Sequence, residues 1–406
     1  MAGLTPMMQQ YMETKKQYKD CILFYRLGDF YEMFFEDAIT ASRELEITLT
    51  GKDCGLEERA PMCGVPFHAV DGYLNRLVSK GYKVAICEQV EDPKLAKGIV
   101  KREVIRIVTP GTNLNTQALE ESKNNYLMCI ACFQNRIGVS IVDVTTGDFY
   151  MTEVEGLAKL QDEIYKYMPT EIICNDAFVM SGYDIEDLKG RLSMAVYTLE
   201  PWYFDDDGCR KCLMNHFKVN TLAGLGLEDF PSGMISAGAA MQYLLETQKT
   251  DLTHINHIIP YLASRFMLLD SSTRRNLELT ETLREKQKKG SLLWVLDKTK
   301  TAMGARRLRS DIEQPLINID DINARLDAVE QFCKNTVSRD EIREYLNPIY
   351  DMERLLGKVS YKSANPRDLL AFANSMEMLP HEQTWSWCNG IFSVLRRCRQ
   401  TNPQNY

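Results

Sequence analysis

With 406 residues, 45% of them hydrophobic and 26% charged, the chain has the composition of an ordinary soluble protein, long enough for two to four domains. Its formal net charge of −8 excludes indiscriminate nucleic-acid binding over the whole surface and leaves room for a local basic face. No run approaches the roughly 18 apolar residues of a membrane-spanning helix. The opening "MAGLTPMMQQYMETKK" has no basic start followed by an apolar block, so no secretory signal is read there and the expected compartment is the cytoplasm.

In chain order, Thr5 and Pro6 give an N-cap with proline at the first helical position, opening a helix to about Lys16. "CILFYR" (21–26) has the form of a short buried strand, and a helix is expected from about Tyr31 to Glu44. "PMCGVPFHAV" is expected to be a Pro/Gly turn feeding a helix that carries Leu74, Leu77 and Val78 on one face and stops at Gly81. "KVAICEQV" (83–90) and "EVIRIV" (103–108) complete a small mixed α/β domain, with "TPGTNLNTQ" (109–117) as its exit. A second α/β block follows, with strands in "NYLMCIACF", "RIGVSIVDVTTGDFYMTEV" and "EIICN", a turn at Thr146-Gly147 and a helix over 157–168. Beyond about residue 240 the periodicity is helical, with few strand signals.

Twelve cysteines lie scattered through these patterns, which fits reduced thiols better than a disulfide framework. Two pairs have zinc-like spacing, Cys129–Cys132 and Cys209–Cys212. The first is in a strand, where residues three apart point to opposite faces, and the second has no further Cys or His cluster close in sequence.

The stretch "YRLGDFYEMFFEDA" (25–38) holds the most pointed question. On a helix, Tyr31, Phe34, Phe35, Ala38, Ala41 and Leu45 form one stripe, and Phe30 lies off it with Met33 and Asp37. Asp29 and Glu32 have the spacing of a capping box. Two readings of Phe30 result: a staple that ties the turn to another element, or an aromatic held at a helix tip to stack on or wedge between bases.

"TPMMQQY", "FYRLGDFYEMF", "PMCGVPFHAV", "VAICEQVEDP" and "IVTPGT" follow one another in the order and spacing of the N-terminal signature of the MutS family of DNA mismatch-repair proteins. The similarity continues through "DSSTRRNLEL", "LLWVLDKTKTAMGARRLR" and "NPRDL" to about Pro380. The resemblance implies a multidomain α/β plus all-α chain. It would comprise a mixed α/β mismatch-recognition domain (1–112), a ribonuclease H-like α/β connector domain (113–240) and an incomplete helical core and lever (241–380), with an atypical tail (381–406). That tail reads as an out-of-frame segment or a divergent ending.

The resemblance assigns mismatch reading to a Phe-x-Glu motif, here Phe30 and Glu32, and settles Phe30 as the wedge. A mispaired base is cheaper to unstack, so a wedge reports deformability instead of sequence. Glu32 would repel the phosphates unless it meets a base N–H. Backbone contacts would come from Lys52, on a loop where the family is basic, with Met62 a weaker contact candidate that packing explains better. "PKLAKGIVKREVIR" sets Lys94, Lys97, Lys101, Arg102 and Arg106 against the single acid Glu103, and reads equally as a solvated face. Implied partners are mismatched double-stranded DNA and a MutL-type repair protein docked through the connector. The family is a homodimer or higher oligomer, whose main dimer surface is expected to be missing from these residues, and localisation would be cytoplasmic and nucleoid-associated, with no membrane.

The family's ATPase uses ATP and Mg²⁺ on a Walker A loop, G-x-x-x-x-G-K-[ST], and no such stretch occurs in these 406 residues. No catalytic, cofactor-binding or metal-binding residue is therefore expected here. One alternative is a connector that docks a partner without productive DNA binding. Another is a metal-dependent nuclease using Asp143, which lacks a convincing partner carboxylate on a later strand.

Overall fold

The computed structural model describes residues 3–91, 98–115, 119–134, 136–262 and 265–379. It contains two six-stranded sheets followed by a helical region. The first body is built from α1 (Pro6–Gln17), β1 (Cys21–Leu27), β2 (Phe30–Phe34), α2 (Phe35–Leu45), β3 (Thr50–Lys52), β4 (Ala60–Pro66), α3 (Val70–Val78), β5 (Lys83–Gln89) and β6 (Arg102–Val108). Its strand order is β3-β4-β2-β1-β5-β6. Two layers of core lie on the two faces of this sheet. Met8 and Tyr11 of α1 close over Leu23, Tyr25, Phe34 and Cys87 on one face, while α2 and α3 close over Phe24, Tyr31, Met33 and Val65 on the other.

Two expectations are corrected here. Residues 30–34 form a strand, and the helix begins only at Phe35. The two-residue hairpin at Gly28-Asp29 puts Gly28 at φ +58, the backbone a type II′ turn needs at its first position, so the chain returns alongside β1 as Leu27↔Phe30, Arg26↔Tyr31 and Tyr25↔Glu32. The capping box therefore does not form: the Asp29 carbonyl accepts from the Phe67 N–H, and α2 starts from Phe34. "PMCGVP" is likewise a strand, β4, with Pro61 and Pro66 near its two ends where the ladder loses least by a missing N–H.

The second body contains β7 (Leu127–Phe133), β8 (Arg136–Asp143), β9 (Asp148–Glu155), α4 (Gly156–Tyr167), β10 (Glu171–Cys174), α5 (Asp176–Val179), α6 (Ile185–Gly190), β11 (Ala195–Thr198), α7 (Asp206–Phe217), α8 (Pro231–Gln248) and β12 (Ile259–Pro260). Its sheet runs β11-β10-β7-β8-β9-β12. Cys129 and Cys132 fall in the cores on opposite faces of β7. The division expected at residue 240 falls inside α8, which lies on β7 and β8 as part of this body, and β12 adds its edge strand beyond residue 258. Helix and sheet approach so closely that Gly138 has no space for a Cβ, which would sit 1.9 Å from the Ser232 carbonyl oxygen.

The remaining region is helical: α9 (Ser271–Asn276), α10 (Leu292–Leu296), α11 (Ala302–Glu313), α12 (Ile319–Lys334), α13 (Thr336–Leu346), α14 (Met352–Ser360) and α15 (Pro366–Glu377). The expected tail from residue 381 lies outside the described residues. None of the described helices is long and apolar enough to cross a membrane.

Buried polar groups join the three bodies. Glu171 of β10 accepts from the Thr109 hydroxyl, the Gly111 N–H at 2.7 Å and the Tyr243 hydroxyl at 2.6 Å, and burial pushes its carboxyl pKa up. Arg306 of α11 and Arg354 of α14 reach back to the segment between the first two bodies. Arg306 donates to the Glu121 carbonyl at 3.0 Å and to Asp351 at 2.6 Å, and Arg354 donates to the Lys123 carbonyl at 2.5 Å.

Candidate nucleic-acid interface

Alternation along β2 decides what its side chains face. Tyr31 and Met33 enter the core, with 3% and 0% exposed, whereas Phe30, at the mouth of the hairpin, is 47% exposed. Phe30, Glu32 and Phe34 share the α1 side of the sheet, and only Phe34 lies far enough along the strand to be covered by α1. Phe30 is thus an apolar ring in solvent at the end of a strand flanked on both sides, by Leu27 of β1 and Pro66 of β4.

Lys52 leaves β3, passes over β4 and meets Glu32: its ammonium is 2.5 Å from Glu32 Oε2 and 5.5 Å from the Phe34 ring centroid. Met62, paired with Phe34 and Thr50, is on the same side but half-buried against the α1 core, so it contributes packing. Arg102 folds over the Tyr25 ring at 5.2 Å and donates to the Arg26 carbonyl at 2.7 Å and to Gln10 Oε1 at 3.2 Å. Lys101 is exposed and paired with Glu103 at 2.5 Å, and that carboxylate raises the lysine's pKa.

Arg106 stands apart from this group. Its register partner Ile86 is in the core on the α2/α3 side, so the guanidinium points away from Phe30, and burial lowers its pKa. Lys94 and Lys97 lie outside the described residues. Of the nine candidates, the structure brings Phe30, Glu32, Lys52 and Met62 to one corner of one face, with Arg102 on the same face three strands along from β2.

Sequence reasoning missed two residues that hold this corner. Arg26 donates from Nε to the Gly28 carbonyl at 2.6 Å and lies over the Phe67 ring at 3.7 Å. Phe67 is itself 47% exposed, directly after Pro66. The two-residue hairpin before Phe30 was the signal available for Arg26, because the residue flanking such a turn can reach the turn carbonyls. Phe67 carried no local signal; only the β2–β4 register puts it beside the turn.

Asp143 has a different surrounding from that of a metal ligand. Its carboxylate accepts from Asn124 Nδ2 at 2.8 Å, the Asn125 N–H at 3.0 Å, the Thr145 N–H at 2.8 Å and the Thr145 hydroxyl at 2.6 Å, and it is fully buried. These four donors fill its lone pairs and tie the β8–β9 turn to the segment before β7. Among the described residues, no group of three or more His, Cys, Asp or Glu is placed to hold a metal.

A two-sheet α/β chain with an exposed Phe-x-Glu hairpin, a second α/β body and a helical third region has the make-up of a modular MutS-type protein. Comparison with known families agrees along the chain: MutS domain I matches residues 5–117, MutS domain II residues 125–256 and MutS domain III residues 272–390. The chain belongs to the MutS family.

It is 69% identical over 381 residues to the DNA mismatch repair protein MutS of Lachnoclostridium phytofermentans, covering 94% of this chain and 41% of that protein. It is 56% identical over 384 residues to the MutS of Ruminiclostridium cellulolyticum and 54% identical over 384 residues to that of Acetivibrio thermocellus, in each case 94% of this chain and 44% of the relative. The chain therefore spans less than half the length of these relatives.

Proposed function

We propose that this chain recognises mispaired and unpaired bases in duplex DNA, with Phe30 inserted at a base step and Glu32 accepting a hydrogen bond from a base. The observation that carries the reading is the 47% exposed Phe30 ring on a two-residue hairpin, beside a carboxylate, in a body matched by MutS domain I. Smoothly bending a duplex site costs on the order of 1–6 kcal/mol, and less where stacking is already broken, so a fixed aromatic wedge selects defects by their deformability. The sequence-independent part of affinity comes from phosphate contacts by the basic run that includes Lys94, Lys97, Lys101 and Arg102. This reading needs no nucleotide chemistry from these 406 residues.

The test is a titration of the chain and its Phe30→Ala variant against duplexes carrying a G·T mismatch or one unpaired T, with a matched duplex as control, at low salt. The expected result is a preference for the defective duplexes that the variant loses by about 1–3 kcal/mol, the usual worth of one aromatic–base stack. Equal binding of all duplexes by the folded chain sinks the reading.

A second reading has its own observation. The connector exposes Met180 (83%) at a cavity of about 930 Å³ lined also by Cys132, Ile137, Gly156, Leu157 and Ala177. An apolar rim of this kind suits docking of a MutL-type repair partner. Such binding would survive Phe30→Ala and ignore the state of the DNA.

A further inference from the structure

We infer that Lys52 is not a constant phosphate contact but the exchangeable counter-ion of Glu32, released to the DNA backbone only when Glu32 finds a base. The inference rests on the mismatch-reading proposal and adds the event that couples its two halves. The sequence treats the two residues as independent, one reading bases and the other holding phosphate. In the folded chain each occupies the other.

The geometry gives the reasons. Lys52 Nζ is 2.5 Å from Glu32 Oε2, and among the described residues it is the only cation in ion-pair range of that carboxylate. Lys52 reaches it across β4, where Gly64, the register partner of Glu32, carries no side chain beside the carboxylate. The side chains are 33% and 18% exposed, so the pair is at the surface and partly shielded. A closed pair is neutral: the ammonium is not offered to a phosphate, and the carboxylate does not repel one. A pair with this much solvent is weak, so a single competing hydrogen bond can open it.

The partner available to Glu32 differs between duplexes. In a matched pair the base N–H groups are already donating to the opposite strand, and Glu32 gains nothing by leaving Lys52. At a mispaired or unpaired base a donor is free, the carboxylate turns to it as a charge-assisted acceptor, and the ammonium swings to a flanking phosphate. One internal contact becomes two contacts to DNA, and the second appears only at a defect. Lys52 therefore sets specificity through Glu32, although it touches no base.

Counter-ion release makes this measurable. Each phosphate neutralised steepens the slope of log K against log salt by about 0.9 for B-DNA. Binding of the 406-residue chain would be followed between roughly 50 and 200 mM salt, on an unpaired-T duplex and on its matched control. The expected result is a slope steeper by about 0.9 on the defective duplex than on the matched one. Lys52→Met should bring the two slopes together, and Lys52→Arg should keep them apart. Glu32→Gln, which leaves the lysine unpaired, should steepen the matched-duplex slope to the defective value, and adding Lys52→Met should cancel that gain. Equal melting temperatures of the Lys52 variants and the parent would exclude a folding origin.

If mismatch preference is intact but Lys52→Met lowers both slopes alike, Lys52 is a constant phosphate contact and the exchange is overturned while base reading stands. If the chain shows no mismatch preference, base reading falls and the exchange with it, even where Glu32→Gln steepens the matched slope. Absence of binding to any duplex at low salt overturns both.

Discussion

The first body and the helical third region treat apolar surface in opposite ways. Around Phe30 the sheet is sealed: Tyr31, Met33 and Phe34 are at most 3% exposed, and of the two rings left out at the turn Phe67 is covered by the Arg26 guanidinium while Phe30 stands clear. In the third region exposure runs along faces. Ile319, Leu326 and Val329 of α12 are 72%, 58% and 58% exposed at helical spacing, with Leu369 and Leu370 of α15 and Leu268 beside them in kind. An exposed apolar side chain thus carries meaning only against its neighbours. An isolated one in a closed core indicates a function for that residue, while a stripe describes a whole helix face without a cover.

The contrast can be broken first at the tightest packing. Gly138→Ala forces a methyl into the Ser232 backbone and should destabilise the connector by about 3 kcal/mol, read from its urea transition. Next comes acid. Burial pushes the imidazole pKa of His254, and those of His216 and His257, below the usual 6.5. The unfolded chain then takes up these protons near pH 6.5 while the folded chain resists them, so stability should fall as pH drops below about 6.5. His254 donates from Nε2 to the Val144 carbonyl and packs edge-on against Tyr361, so the loss should appear where the connector meets α14. A His254→Gln variant should show a flatter melting temperature against pH. The smallest effect is expected at the other extreme: Leu268→Ser, at a 73% exposed site, should change stability by no more than about 0.5 kcal/mol in the same urea experiment.

Much of the fold was legible because its signals are local. The apolar runs at 21–27, 83–89 and 127–133 are strands, the Thr5-Pro6 start is a helix, and the expected mixed α/β bodies precede the expected helical region. The failures share a cause. In residues 30–34 a helical stripe and a strand alternation both bury Tyr31, so the sequence between Gly28 and Phe35 is compatible with either, and pairing on both sides with β1 and β4 decides for the strand. The boundary expected at 240 falls within α8, whose small residues let the helix lie close on the sheet of the second body.

The candidate site was legible as a motif but not as an arrangement. Phe30 and Glu32 are two residues apart in the chain. The Lys52 that holds Glu32, the Phe67 that backs the turn and the reversal of Arg106 to the opposite face all depend on register across a six-stranded sheet. Register is not written in any window of neighbouring residues.

The reach of Arg354 back to the Lys123 carbonyl has a consequence for synthesis. Pro260 completes the second sheet 94 positions before Arg354, so a ribosome adding roughly 5–20 residues each second finishes both sheets on the order of 5–20 s before Arg354 can clasp the segment that connects them. During that interval the first body and the connector already meet, as where Gln248 donates to the Ile107 carbonyl and the Tyr197 hydroxyl to the Gly81 carbonyl, while the segment between them still lacks its clasp. The growing polypeptide thus sets the two sheets against each other first and fastens the strap between them later, when α11 and α14 emerge.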